Sequence, residues 1–145
     1  MKVVKGDLIK MAKLGNFDAI VHGCNCFCNM GGGIAAQIKK EFPKAAYADE
    51  KTVVGDSNKL GRCQFVRVSD RLIIVNAYTQ YDSGPCFQLD KLAWCLFEVK
   101  LNLSGCRIGL PKIGSGIGGG DWNKISRCIR QNLKDEDFTI VEYDA

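Results

Sequence analysis

Histidine occurs once in this 145-residue sequence, at position 22, and proline three times. A metal centre or catalytic unit built on several histidines is therefore excluded, and a zinc site of the cysteine–histidine kind would rest on thiolates. The eight cysteines do not offer that set. Cys24, Cys26 and Cys28 share strand parity with His22, but Cys-x-Cys-x-Cys is not the Cys-x2–4-Cys of a zinc site, so no metal is expected. No apolar run is long enough to span a bilayer, which excludes a transmembrane helix. The opening Met-Lys-Val-Val-Lys-Gly-Asp has no apolar segment and no cleavage site, so no secretory leader is expected. With Cys95, Cys106 and Cys128 inside apolar runs, the cysteines read as reduced thiols of a cytoplasmic protein. Repeats, low-complexity tracts and linkers are also missing, and one domain over 1–145 is expected.

Charge of one sign is scarce too: 20 basic against 16 acidic residues leave a net +4. That mild excess suits an anionic small molecule. Lys39, Lys40 and Lys44 are interrupted by Glu41 and read as a solvated helix face. Aromatic and basic residues do not interleave as in RNA-binding proteins, so no nucleic-acid partner is expected, and the chain is expected to be a monomer.

Glycine is what the chain does have, 16 in all, and it gathers in two places. The first is Met30-Gly31-Gly32-Gly33-Ile34, between the apolar run Ala19-Ile20-Val21 and a helical pattern at Ile34, Ala35, Ile38 and Phe42. Strand, glycine loop and helix is an arrangement that aims backbone N–H groups at a phosphate, although three glycines can also make a flexible turn. The second runs from Gly114 to Gly120, after Arg107–Pro111 and before a helix opened by Asp121-Trp122. Gly114-x-Gly116-x-x-Gly119 fits the dinucleotide fingerprint, but only one helix and one strand follow it, which excludes a dinucleotide-binding half. No Gly-Lys-[Ser/Thr] follows either loop, so neither is a Walker A loop. Two such loops, about 80 residues apart in a small domain, suggest one diphosphate gripped from both sides.

Further strands are expected at Val3-Val4, Phe17–Gly23, Cys63–Val68, Arg71–Tyr78 and Phe138–Tyr143. Gly6-Asp7-Leu8 reads as a turn at the first strand's end. Helices are expected over Ile34–Phe42, stopped by Pro43, over Phe87–Leu103 with Leu89, Leu92, Ala93, Leu96, Phe97 and Val99 on its apolar face, and from Asp121 to about Leu133. Ala45–Leu60 has no clear pattern. Strands interspersed with helices give an α/β fold with a mostly parallel sheet, whose ligands bind at the strands' carboxyl ends.

Four pieces in this order resemble a macro domain, the ADP-ribose-binding fold: Gly6-Asp7-Leu8; His22-Gly-Cys-Asn25 running into Gly31-Gly-Gly-Ile34-Ala35; Leu110-Pro111-Lys-Ile-Gly114-Ser-Gly-Ile-Gly118; and the closing strand at Ile140–Tyr143. The resemblance implies a three-layer α/β/α fold around a central mixed, mostly parallel sheet. Within the family, His-x-Cys-Asn followed by Gly-Gly-Gly-Ile-Ala is most similar to proteins that process ADP-ribose 1″-phosphate. It implies that Asp7 accepts from the adenine amino group, that Leu8 and Ile9 line the adenine pocket, and that Tyr143 packs beside it. Asn25, with Cys24 near it, would bond the distal ribose. Met30, Gly31, Gly32, Gly33 and Ile34 would wrap the pyrophosphate, together with Ile113, Gly114, Ser115, Gly116, Ile117, Gly118 and Gly119, and Thr79 would border the site. ADP-ribose, ADP-ribose 1″-phosphate or an ADP-ribosylated protein would be the partner, and no cofactor is implied.

Departures from the family bear on the chemistry. One de-ADP-ribosylating type carries Asp where this chain has Ala35; another pairs a lysine and an aspartate where it has Gln80 and Gly118. An amide cannot form the Schiff base that a lysine can. Phosphatase chemistry on ADP-ribose 1″-phosphate is what the resemblance leaves, with a non-catalytic ADP-ribose reader and a weak protein de-ADP-ribosylase as alternatives. His22 is a candidate general acid or base, or else a packed neutral ring. Asp121 would assist, or else cap its helix.

Overall fold

The computed structural model describes residues 1–143 and contains one six-stranded sheet of order β1-β6-β5-β2-β4-β3. Its strands are β1 (Lys2–Gly6), β2 (Ala19–Cys24), β3 (Cys63–Ser69), β4 (Leu72–Tyr78), β5 (Arg107–Leu110) and β6 (Asp137–Tyr143). Only the β3–β4 pair is antiparallel, a hairpin with a register shift between Arg67 and Ser69; every other pair is parallel. The helices are α1 (Leu8–Lys13), α2 (Gly33–Glu41), α3 (Pro43–Glu50), α4 (Leu89–Leu103) and α5 (Trp122–Asn132). They cover both faces, giving the three layers, α/β/α, that the resemblance implies.

Strand alternation divides the core between those faces. Ala19 and Val21 of β2 pack with Leu92, Leu96 and Val99 of α4 and Ile125 and Ile129 of α5. Ile20 points the other way, with Leu8 and Ile9 of α1, Ile38 of α2 and Ala45 of α3. Burial on both sides is why β2 lacks a polar alternation in its sequence.

Three local expectations change. Asp7 does not end in a simple turn: it caps α1, its Oδ1 accepting from Lys10 N at 3.1 Å. That helix has six residues, too few for a periodic pattern. Pro43 does end α2, but it also opens α3, because a helix's first turn has no use for the N–H that proline lacks. Leu89 and Phe97, both expected on the buried face of α4, are 36% and 51% exposed, while Cys95 takes an inward position.

Candidate functional site

Because β5 pairs with β2, the loops that follow these two strands face each other at the sheet's carboxyl edge. They meet closely: a Cβ at Gly32 would lie 3.3 Å from Ile117 Cδ1. A cavity lies on either side of this pinch. The larger, about 500 Å³, is lined by Cys24, Asn25, Asn29, Gln80 and Ser83 among others. The smaller, about 380 Å³, lies toward β1 and β6 and is lined by Asp7, Leu8, Gln37, Ser115, Val141 and Tyr143 among others. Gly33, Ile34, Pro111, Lys112 and Gly116 belong to both walls, so the two form one cleft over the glycine loops.

The first loop is braced before any ligand arrives. Asn25 Nδ2 donates to Asn29 O at 3.1 Å, and Asn25 Oδ1 accepts from Phe27 N at 2.9 Å. Asn29 Oδ1 accepts from Gly31 N at 3.0 Å, so that donor is taken. Gly33 has φ +57, a left-handed conformation that favours glycine, and opens α2. The N–H groups of Gly33, Ile34 and Ala35 have no acceptor within the helix, and they open it at the cleft wall.

Of the residues named from sequence, Asp7, Leu8, Cys24, Asn25, Gly31, Gly32, Gly33, Ile34, Ile113, Gly114, Ser115, Gly116, Ile117, Gly118 and Tyr143 line one or both cavities. Six do not. Ile9 and Met30 are buried in the core beneath α1 and α2. Thr79 is buried beside Gly23, where a Cβ would lie 2.9 Å from its Oγ1. Gly119 turns away beside Pro85. Asp121 is the exposed N-cap of α5, accepting from Asn123 N at 2.9 Å, which is the capping role offered from sequence as the alternative to assisting catalysis.

His22 is the sixth and the most consequential. It is fully buried, and Asn76 Oδ1 lies 2.6 Å from its Nε2. Asn76 in turn donates to Ala45 O of α3 and to Gln64 Oε1. Burial pushes the imidazole down to about 4, against a smaller upward pull from Asn76. A fully buried ring held by Asn76 lines neither cavity, so of the two readings offered from sequence the geometry favours the packed neutral ring over the general acid or base. Cys24 does reach the larger cavity, but burial pushes its thiol well up and makes it a poor nucleophile.

Sequence reading missed Asn29, Ser83, Gly84, Pro111, Lys112, Gln37 and Val141 as wall residues. Asn29 carried a signal, since Asn-x-Gly is a pattern for a side chain that bonds the backbone two residues on. Among the described residues, Lys112 is the one charged residue lining the larger cavity. Its Nζ sits 5.2 Å above the Trp122 ring and 4.0 Å from Glu142 Oε1. Gln80 and Gly118 are neighbours, as a Cβ at Gly118 would lie 3.0 Å from Gln80 Oε1. The Gln80 amide is committed locally, donating to Asp82 O and Gly84 O.

The chain belongs to the macro domain family, whose sequence model matches residues 21–129. It is 34% identical to a 17.5 kDa protein from the tk-vs intergenic region of Enterobacteria phage T4, over 99% of this chain and 97% of that one. It is 25% identical to the ADP-ribose 1″-phosphate phosphatase of Saccharomyces cerevisiae, over 96% of each. Among solved structures, the macrodomain of Mycobacterium tuberculosis DarG superimposes with a TM-score of 0.76 at 25% identity, over 100% of this chain and 99% of that one.

Proposed function

We propose that the protein binds ADP-ribose along the cleft and hydrolyses the terminal phosphate of ADP-ribose 1″-phosphate, giving ADP-ribose and inorganic phosphate. The observation that carries this reading is the two-part cleft, pinched by glycine loops and, among the described residues, lined by no carboxylate in its larger cavity. Adenine fits the smaller part, with Asp7 as acceptor and Leu8 as apolar wall. The pyrophosphate lies over the loops and the α2 N-terminus, whose free donors and dipole favour an anion. The distal ribose and its phosphate lie in the larger part, beside Asn25 and Lys112.

A phosphomonoester brings extra negative charge, which a wall without carboxylates accepts more readily than a glycosidase site would. Hydrolysis passes a water's oxygen to phosphorus while the P–O bond to the ribose breaks, and positioning with charge stabilisation supplies most of the catalysis. Asn25, braced by its bonds to Asn29 and Phe27, is the side chain suited to orient that water. The name of the Saccharomyces relative agrees with this reading. Glycosidic cleavage has less support, because Ala35, Gln80 and Gly118 supply neither carboxylate nor amine. A binding module without turnover is the second reading, favoured by the burial of His22 away from the cleft.

Steady-state phosphate release from ADP-ribose 1″-phosphate tests the reaction. Wild type releases phosphate, and Asn25→Ala slows release by roughly 10- to 100-fold, about 1.4–2.7 kcal/mol of barrier. Binding of ADP-ribose with no release by wild type leaves the binding module. Calorimetric titration with ADP-ribose tests the adenine end. Asp7→Asn keeps the helix cap, because asparagine caps as well as aspartate. It loses the charged acceptor, and affinity falls by about 1–3 kcal/mol at unchanged stability. Asp7→Ala loses both affinity and about 1 kcal/mol of stability. Wild-type affinity in Asp7→Asn would remove Asp7 from the site.

A further inference from the structure

We propose that Phe87 is a positioning residue for the second glycine loop: its ring packs beneath Gly114 and Gly120, and its Cβ beside Gly118. The functional consequence rests on the proposed use of this loop for a pyrophosphate; the packing does not. A Cβ at Gly114 would lie 2.5 Å from Phe87 Cδ1 and Cε1, and one at Gly120 would lie 2.7 Å from Cδ2. A Cβ at Gly118 would lie 3.1 Å from Phe87 Cβ. Two of these separations are shorter than real Cβ contacts reach, so the ring helps to keep Gly114 and Gly120 free of side chains, together with the left-handed φ of +77 at Gly114 and with Ile125 Cδ1, also 2.7 Å from a Cβ at Gly120. Gly116 differs: a Cβ there would meet nothing within 4 Å, and Gly116 lines both parts of the cleft.

Hydrogen bonds fasten the loop in this form. Gly120 N donates to Gly114 O at 2.8 Å, and Phe87 N donates to Gly118 O at 3.2 Å. Phe87 is fixed in turn from β4, pairing with Gln80 in an isolated antiparallel bridge. The Gln80 side chain closes the turn between them through Asp82 O and Gly84 O. The order of support is therefore β4, Gln80, Phe87, glycine loop. A chain so rich in glycine has more conformational freedom to lose on binding than any other. A flat ring beneath it removes that freedom beforehand, which raises affinity without touching the ligand.

The test compares Phe87→Leu with Phe138→Leu. Phe138 is buried in the same hydrophobic cluster, but on β6 beside Ile108 near the far end of β5, away from the cleft. Two quantities are measured for each: amide hydrogen exchange at residues 114–120, and ADP-ribose affinity by calorimetry. In Phe87→Leu, exchange across 114–120 accelerates at least tenfold and affinity falls at least tenfold, while exchange at residues 31–35 stays at the wild-type rate. Phe138→Leu, at comparable melting temperature, leaves both within twofold. Changes in Phe87→Leu no larger than those in Phe138→Leu would overturn the proposal. If wild type binds no ADP-ribose, the proposed function fails and the exchange comparison still decides the role of Phe87. Should Phe87→Leu not fold, Phe87→Met keeps most of the volume without the flat face and makes the same comparison.

Discussion

Gly32→Glu is expected to fold like wild type and to lose ADP-ribose binding by at least about 100-fold, or roughly 2.7 kcal/mol. Gly32 sits at φ −131 and ψ 157, an extended conformation open to any residue, so no backbone strain follows. Its Cβ would meet only the end of Ile117, a side chain that is 64% exposed and can give way. The new carboxylate would therefore stand between the two loops, filling the pinch and repelling phosphate. Gly32→Gln separates the two effects, since it fills equally but carries no charge, and it is expected to lose less. Calorimetry and a melting curve on each variant provide the check. Wild-type affinity in a folded Gly32→Glu protein would defeat the idea that the loops grip one ligand between them.

Acid is expected to destabilise the protein well before its carboxylates titrate, and His22 is the reason. The ring takes a proton near pH 6.5 in an unfolded chain but only near about 4 in the fold. Between those values the unfolded state holds more protons, so stability falls as pH drops from 6.5 toward 4. The loss by pH 4.5 is about 2–3 kcal/mol, or roughly 2–4 °C in melting temperature for each kcal/mol at this size. Asp18, Glu41 and Glu136, whose carboxyls are held low by hydrogen bonds, add their own losses only as pH falls below the ordinary carboxylate range. Asp49 acts oppositely, because burial raises its carboxyl and the fold takes up that proton first. His22→Gln isolates the histidine, keeping an amide donor near Asn76 without a titrating ring. Its stability is expected to be lower at pH 7 but nearly flat between pH 6.5 and 4.5. An equally steep decline in wild type and His22→Gln would remove His22 as the cause.

How much of this was legible beforehand differs from residue to residue. The glycine loops were evident because glycine clusters between an apolar run and a helical pattern are local features. Asp7 was placed at a strand end but not as a cap, since a six-residue helix leaves no periodic trace. His22 and Cys24 do share a face, as strand parity requires, and Cys24 Sγ lies 3.7 Å from His22 Nε2. Parity cannot say what covers that face: His22 is fully buried and bonded to Asn76, which in turn reaches Ala45 O of α3, from a stretch whose sequence has no clear pattern. Asn29 had a readable turn signal, whereas nothing in the sequence marks Lys112 as a wall residue.

Local physics thus determined most of the elements themselves: where strands run, where Pro43 stops a helix, and where glycine frees the backbone. The order of four motifs determined the family. What only the tertiary structure decided is which of those elements meet. Placing β5 beside β2 sets two loops some 80 residues apart against each other. Burying His22 against Asn76, which is itself tied to α3, turns the only histidine from a candidate catalyst into a buried liability at low pH. Bringing Phe87 under the second loop makes its glycines answer to an aromatic ring as well as to a ligand. Each is a contact between residues distant in the chain, and such contacts depend on the packing of the whole sheet, which no short stretch of sequence encodes.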